Sequence, residues 1–363
     1  MRGSDQPTLG TTVLGIESSC DETAAAVVRG GRAVLSNIIA TQEELHEEYG
    51  GVVPEIASRA HLERIYPVVR RAIEQAGAGR DEIDAIAVGH RPGLIGSLLV
   101  GVAAAKALAW AWGKRIIGVD HIIAHLHAAS LGTEALPEFP AIGLVVSGGH
   151  SSLFAMHSAL EVECLGRTID DAIGEAYDKA AMILGLGFPG GPRVDARAQR
   201  GNDRAHDFPI SRLEPGSLDF SFSGLKTALL YAVRGTPTGR GAGATFERDA
   251  SRLNEAEIDD HCASFQRAAV AAVMLKLERA IEQRRDLQHK PIRSIIIGGG
   301  VSANTRLRAE AQALADRLGL SLHLPVMTYC LDNAAMIAGL GCLRLDAGLV
   351  NDLTLSASPA GTH

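Results

Sequence analysis

Length, composition and charge limit the classes of protein to which this chain can belong. Its 363 residues, 46% of them apolar, are enough for two domains with buried cores. The net charge of −7 excludes a surface that is basic overall, so a nucleic-acid partner would require a local basic patch or an accessory subunit. Five scattered cysteines without a Cys-x-x-Cys pair argue against a structural zinc site and for free thiols in a reducing compartment.

The start of the chain does not resemble a targeting peptide, since it is not Arg-rich and amphipathic. The start lacks the apolar core of a signal peptide, and no run reaches the roughly 18 apolar residues typical of a membrane span. We therefore expect a cytoplasmic protein without membrane contact. We predict that residues 1–11 and 350–363 are flexible ends.

Strands alternate with helices along the chain, which indicates an α/β fold with ligands at the carboxyl ends of strands. The hairpin predicted at 12–28 has a counterpart about 130 residues later, at 141–156, which suggests two related halves. We place the first half at 12–140, with some C-terminal helix packing back on it. The second half is placed at 141–340, with an inserted helical region at about 185–290. Strands are predicted at 12–17, 24–28, 84–89, 115–119, 141–146, 151–156 and 294–297. Helices are predicted at 43–75, with breaks at 50–51 and 54, and at 97–110, 170–184, 223–233, 259–283 and 302–314.

Two polar turns have the character of ligand sites. The turn at 18–23 is small and acidic, and its amides and hydroxyls suit a phosphate or metal-phosphate group, although an ordinary hairpin explains it equally well. The glycines at 298–300 follow a strand and precede a helix, which favours a nucleotide over a purely structural turn. Near the predicted helix 170–184, Asp178 or Asp195 could accept hydrogen bonds from ribose hydroxyls.

The pair His121 and His125 is the strongest candidate for a metal site. Histidines four apart lie on one face of a helix, so both rings can bind one cation, and a remote carboxylate such as Asp332 can complete the site. Two histidines on a partly buried helix are the alternative. A metalloprotease is disfavoured because position 122 is Ile, whereas the H-E-x-x-H motif requires Glu there as the general base.

Nine motifs taken in order resemble the TsaD family, the tRNA adenosine threonylcarbamoyltransferases once described as O-sialoglycoprotein endopeptidases. The resemblance spans about residues 12 to 340. The motifs are GIESSCDET at 15–23, GVVPEIASR at 51–59, PGLIGSLLVG at 92–101, the histidine pair, VSGGH at 146–150, DDAIGEAYDK at 170–179, FSFSGLK at 220–226, GGGVSAN at 298–304 and DNAAMIA at 332–338.

The resemblance implies an actin/Hsp70/sugar-kinase-like fold of two ribonuclease-H-like halves with a ligand cleft between them. It implies transfer of a threonylcarbamoyl group from threonylcarbamoyl-adenylate to N6 of the adenosine 3′ of the anticodon in tRNAs that read ANN codons. By similarity, His121, His125 and Asp332 bind one divalent metal, Fe²⁺ or Zn²⁺, and ATP binding is also possible. The adenylate-contacting positions are, by similarity, Val145, Val146, Ser147, Gly148, Gly149, Asp178, Gly191, Asp195 and Asn304.

Further expectations concern catalysis and partners. Asp21 and Glu22 in the acidic turn are candidate catalytic residues, and Asp21 is our candidate for removing the proton of the adenine amine. Family members work with a synthase that makes the adenylate and, in bacteria, with TsaB-like and TsaE-like subunits. An ATP-dependent kinase or carbamoyltransferase of the same fold, and a noncatalytic nucleotide-binding scaffold, remain alternative hypotheses.

Overall fold

The computed structural model describes residues 10–239, 245–287 and 291–361 and divides into two compact units. Unit 1 contains Met1–Leu136 and Leu324–His363, and unit 2 contains Pro137–His323. The predicted boundary at 140 differs from this division by a few residues. The second half was predicted to continue to residue 340, whereas the chain from Leu324 onward belongs to unit 1.

Unit 1 is built on a five-stranded sheet in the order β3-β2-β1-β4-β5. β1, β2 and β3 are antiparallel, and β4 and β5 continue the sheet parallel to β1. Its strands are β1 (Thr12–Glu17), β2 (Thr23–Arg29), β3 (Ala33–Ala40), β4 (Ala85–Arg91) and β5 (Arg115–Asp120), and its first helices are α1 (Glu43–His46), α2 (Pro54–Ala76), α3 (Ile95–Trp112) and α4 (His121–His127).

Unit 2 repeats this topology. Its sheet has the order β10-β9-β6-β7-β8, in which β6, β7 and β8 are antiparallel and β9 and β10 run parallel to β6. The prediction of two related halves is therefore confirmed at the level of strand order. The strands are β6 (Ala141–Val146), β7 (Ser151–Met156), β8 (Val162–Arg167), β9 (Ser294–Gly298) and β10 (Ser321–His323), and the helices are α5 (Ile173–Ile183), α6 (Gly190–Ala198), α7 (Ser223–Arg234), α8 (Glu255–Leu287) and α9 (Thr305–Leu318).

The last helix, α10 (Ala334–Asp346), returns to unit 1 and packs on β1, β2 and β4. It is almost wholly buried, which explains why its sequence is apolar on every face. Asn333 caps its start by accepting a hydrogen bond from the backbone N of Met336 at 3.0 Å. Asp332 directly precedes this cap, so the packing of α10 determines where the predicted third metal ligand lies.

The C-terminal segment is not the flexible end that we predicted, as far as residue 361. The backbone N of Asn351 donates to the carbonyl oxygen of Ile116 on β5, and that of Ser358 donates to the carbonyl oxygen of His90. Leu355 is buried in the core of unit 1. A polar, glycine-containing sequence suggested disorder, but one apolar anchor and several backbone partners hold this segment. Of the other predicted flexible end, residues 1–9 lie outside the described residues.

Helix α3 is the one described helix that is long and apolar enough, by length and composition alone, to cross a membrane. It carries Lys106 near its middle and packs against β4 and α2. The five cysteines all lie among the described residues, and none of them forms a disulfide.

Candidate metal centre and nucleotide-binding turn

The predicted metal ligands meet in unit 1. Among the described residues, His121, His125 and Asp332 form a group whose ligand atoms all lie within 4.8 Å of one another. The Oδ1 atom of Asp332 is 3.1 Å from Nε2 of His125 and 3.7 Å from Nε2 of His121. Ligands about 2.0–2.1 Å from one tetrahedral ion are separated by roughly 3.4 Å, so these distances fit a single divalent cation.

Local structure explains why both rings face the same point. Helix α4 begins directly after β5, and the Asp120 carboxylate caps it by accepting from the backbone N atoms of Ile122 and Ile123. The two rings are in edge-to-face contact, with centroids 4.6 Å apart. Both are buried, whereas Asp332 is partly accessible. The two histidine rings are therefore held in place by α4, and solvent reaches the group beside Asp332.

The charges around the ring of His121 favour a cation. Burial disfavours the charged ring, but the carboxylates of Asp332 and Glu17 outweigh it and raise the pKa of His121 to about 9. For His125, burial prevails over the hydrogen bond to Asp332 and lowers the pKa. Two imidazole nitrogens and one carboxylate oxygen are a donor set that both Fe²⁺ and Zn²⁺ accept. The residues present therefore fit a divalent metal.

The acidic turn after β1 is held by a histidine of α2. His61 is fully buried; its Nδ1 is 2.8 Å from Oγ1 of Thr23, and its Nε2 is 3.0 Å from the carbonyl oxygen of Cys20. A neutral ring protonated on Nε2 satisfies both contacts, and burial lowers the pKa of His61. The turn that carries Asp21 and Glu22 is thus anchored at both ends.

Glu22 lies in a negatively charged environment. Burial and the nearby charges of Asp21 and Asp332 raise the pKa of Glu22 well above its usual value. The same causes raise the pKa of the Cys20 thiol. A cation near Asp332 would offset this negative charge and reduce the shift in the pKa of Glu22.

In unit 2 the predicted nucleotide turn lies between β6 and β7. Val145 and Val146 are buried in β6, and Ser147 begins a tight turn in which its Oγ accepts from the backbone N of His150. Gly148 and Gly149 are exposed, and a side chain there would meet no atom within 4 Å. Their backbone is consequently open to a ligand.

Gly299, the middle residue of the glycine segment 298–300, is required by close packing. Gly299 has φ +91°, and a Cβ on it would lie 2.4 Å from the carbonyl oxygen of Val146. Gly174, on α5, is equally close to the turn, since a Cβ there would lie 2.5 Å from the carbonyl oxygen of Ser147. The strand, the glycine segment and the start of α5 therefore meet at Ser147.

Two of the remaining predicted nucleotide residues, Asp195 and Asn304, are linked through Gln266 by hydrogen bonds that sequence reasoning missed. Asp195 accepts from Nε2 of Gln266 at 2.9 Å and from both the backbone N and the Oγ1 of Thr305. Asn304 donates from Nδ2 to Oε1 of Gln266 at 2.8 Å. Asp178, on α5, accepts from the backbone N of Gly190, next to the predicted Gly191. Gln266 is buried in the middle of α8, where no sequence motif marks it.

Comparison with known proteins decides the family. The profile described as tRNA N6-adenosine threonylcarbamoyltransferase, TsaD, matches residues 33–339. The chain belongs to the TsaD family. Relatives bearing this name include one from Symbiobacterium thermophilum, 49% identical with 96% of this chain and 95% of the relative covered, and one from Rhodopirellula baltica, 49% identical with 96% of each covered.

Solved structures support the fold of this TsaD family member. Full-length HypF, in a phosphate- and nucleotide-bound form, has a TM-score of 0.59 at 12% identity, over 96% of this chain and 49% of HypF. Component A of the (R)-2-hydroxyglutaryl-CoA dehydratase of Acidaminococcus fermentans has a TM-score of 0.51 at 11% identity, over 93% of this chain and all of that protein. The predicted actin/Hsp70-like α/β fold is therefore confirmed.

Proposed function

We propose that this protein transfers the threonylcarbamoyl group of threonylcarbamoyl-adenylate to N6 of the adenosine 3′ of the anticodon in tRNAs that read ANN codons. As a TsaD family member it is a transferase that modifies tRNA. The observation that carries the assignment is the convergence of His121, His125 and Asp332 at one point in a chain of this family. The kinase, carbamoyltransferase and scaffold hypotheses gain no support from the relatives' names.

In this proposal His121, His125 and Asp332 hold one divalent metal, Fe²⁺ or, alternatively, Zn²⁺. When bound, the metal supplies Lewis acidity that polarises the acyl group and stabilises the negative charge of the departing AMP. The chain's own contribution is to keep the site fixed and partly dry. The turn of α4 that carries both histidines is kept from water, because the residues between them, Ile122, Ile123 and Ala124, are all buried.

The chemical step joins N6 of adenosine to the carbamoyl carbon and breaks the bond between that carbon and the phosphate oxygen of AMP. The amine must lose one proton in this step. We assign its removal to Asp21; burial and the nearby charges of Asp21 and Asp332 raise the pKa of the neighbouring Glu22. His61 keeps the turn in place through Thr23 and the carbonyl oxygen of Cys20.

The adenylate is assigned to unit 2. The exposed amides of Gly148 and Gly149 suit a phosphate, as does the start of α6 at Gly191. Asp178, Asp195 and Asn304 supply polar atoms for the nucleoside. Three of about four acceptor positions of Asp195 are taken by Gln266 and Thr305, so roughly one remains for a ribose hydroxyl. Binding of ATP to the same residues follows from the same chemistry.

The partners follow from the substrates. A synthase must supply the adenylate, and tRNA is the acceptor. TsaB-like and TsaE-like subunits are the proposed helpers, and the cytoplasm is the proposed location. The acidic net charge supports sharing of tRNA binding with another subunit.

Exposed apolar side chains on α2 and α3, namely Leu62, Tyr66, Leu99 and Trp110, support a protein partner on these helices.

A transfer assay tests the proposal. Purified protein, the adenylate-generating synthase, the helper subunits and an ANN-reading tRNA transcript are combined, and the digested nucleosides are analysed by mass spectrometry. We expect threonylcarbamoyl-adenosine only in complete reactions. A transcript with guanosine in place of the target adenosine is the matched control and should remain unmodified. Equal turnover of the donor with and without tRNA would contradict the assignment and favour a kinase or carbamoyltransferase.

A further inference from the structure

A fully buried carboxylate lies directly behind the candidate metal centre. Glu17, the last residue of β1, has no exposed surface. Its Oε2 is 3.1 Å from Nδ1 of His121, and its Oε1 accepts from the backbone N of Ser19. Burying an ionised carboxylate is costly unless its oxygens have charged or hydrogen-bonding partners. The two donors therefore explain how the fold tolerates Glu17.

The neighbouring strand leaves room for this carboxylate. A Cβ on Gly89 of β4 would lie 2.6 Å from Oε2 of Glu17, closer than van der Waals contact permits. Any other residue at 89 would push the carboxylate away from the ring of His121. Gly89 thus leaves the space in which the Glu17 carboxylate contacts Nδ1 of His121.

We propose that Glu17 is a positioning residue that keeps the His121 ring oriented with Nδ1–H toward β1 and Nε2 toward Asp332 and His125. This inference rests on the proposed function, because it assumes that the three residues bind a metal. A carboxylate that accepts from the far nitrogen of a metal-binding histidine fixes its tautomer and increases its basicity. Its loss typically weakens metal binding about 10- to 100-fold.

The ring of His125, the other proposed histidine ligand, is not positioned by such a hydrogen bond among the described residues. Nδ1 of His125 is buried without a hydrogen-bond partner in the described part of the chain. Its orientation therefore depends on the packing of α4, whereas the ring of His121 has Glu17 within hydrogen-bond distance of Nδ1. The Oγ of Ser19 is also 3.2 Å from Nδ1 of His121, so a weaker acceptor remains when Glu17 is changed.

Zinc affinity of the full-length protein tests the inference. Zn²⁺ is titrated against a chromophoric chelator for the wild type, Glu17→Gln, Glu17→Ala and the control Glu74→Gln, which changes an exposed glutamate of α2. Glutamine offers one carbonyl oxygen to two donors, so we expect about 10-fold weaker binding, and about 100-fold for alanine. The control should match the wild type.

Three results would overturn the role of Glu17, and only one of them would also overturn the proposed function. Wild-type binding of one Zn²⁺ with unchanged affinity in Glu17→Gln would overturn the role of Glu17 and leave the proposed function intact. No Zn²⁺ binding by the wild type would overturn both. If the Glu17 variants do not fold, ¹⁵N NMR of histidine-labelled, zinc-loaded wild type still decides, with His121→Gln identifying the signal. We expect Nδ1 of His121 to carry the proton, and a proton on Nε2 would overturn the proposal.

Discussion

Gly15 of β1 lies against Ala338 of α10, so close that a Cβ on Gly15 would be 2.8 Å from the Cβ of Ala338. The same Cβ would lie 2.5 Å from the carbonyl oxygen of Ala334, at the start of that helix. Because Asp332 precedes α10 by two residues, this contact connects the spacing of helix and sheet to the position of a proposed metal ligand. A shift of α10 would move Asp332 away from both histidines.

The first prediction follows from this contact. Gly15→Ala forces α10 away from β1, and overpacking of this kind costs about 1–3 kcal/mol of unfolding free energy. We expect a lower urea midpoint and weaker Zn²⁺ binding together. The control is Gly224→Ala on α7, where a Cβ meets nothing within 4 Å and alanine should be neutral or stabilising by about 0.5–1 kcal/mol. An unchanged urea midpoint and an unchanged Zn²⁺ affinity in Gly15→Ala would show that the position of α10 does not depend on this contact.

The second prediction concerns the network around Gln266. Gln266→Glu places a carboxylate oxygen about where Nε2 donates to Asp195, so attraction becomes repulsion. We expect ATP binding, measured by calorimetry, to weaken at least about 10-fold. Gln312→Glu is the matched control, because Gln312 also donates to an aspartate, Asp316, but on the exposed surface where charges are screened. Similar affinities for both variants would exclude the buried network from nucleotide binding.

Acid sensitivity of unit 2 is the third prediction. The rings of His206 and His261 are stacked with centroids 3.9 Å apart. Burial, and then the neighbouring His206, lower the pKa of His261 from 6.5 to about 4. Glu257 and Asp260 oppose this shift, and Arg248 adds to it.

The sign of the effect follows from proton binding. Between pH 6.5 and about 4 the unfolded chain binds more protons at residue 261 than the folded chain does. Above pH 6.5 the ring of His261 therefore does not reduce the free energy of unfolding. As the pH falls below 6.5, the free energy of unfolding decreases by at most about 1.4 kcal/mol per pH unit. Urea unfolding at pH 7 and pH 5 measures this loss. His261→Gln should reduce it, whereas His157→Gln, at an exposed histidine, should not.

The fourth prediction separates the two carboxyls of the acidic turn. Asp21→Asn removes the proposed proton acceptor, so turnover should fall about 10²- to 10⁴-fold while Zn²⁺ binding persists. Glu22→Gln should lose less, because burial and nearby carboxylates disfavour the charge of Glu22 and raise its pKa, and glutamine removes only that charge. Single-turnover transfer to tRNA and metal analysis of the same samples provide both values. Normal turnover in Asp21→Asn would remove the catalytic role from Asp21.

Much of the fold was predictable from patterns that are local in sequence. The strands at 12–17 and 141–146 are short apolar runs bounded by polar turns, and their spacing revealed the repeat. The histidine pair was predictable because a single helical turn brings its members together. The remote Asp332 has no fixed spacing from this pair, so sequence could offer it as a candidate but could not show that it lies beside the histidines.

Features that depend on tertiary partners were not predictable. A helix was predicted from residue 170, yet α5 begins at Ile173, because Asp170 instead binds Ser221 and Ser223 and caps α7. Asp171 likewise binds Lys226, more than 50 residues away. Glu17 and Gln266 have no local signature, since their importance comes from His121 and Asp195. Buried polar residues of this kind are identified by their contacts.

The most direct test of a metal-centred transferase is to follow product formation while metal is returned to stripped protein. Protein treated with a chelator is supplied with increasing Fe²⁺ or Zn²⁺ under anaerobic conditions, and threonylcarbamoyl-adenosine in tRNA is measured by mass spectrometry. We predict that product rises and levels off at one ion per chain, and that Asp332→Ala and His121→Ala stay inactive at every metal concentration. Full activity of the stripped protein, or of Asp332→Ala, would contradict the account.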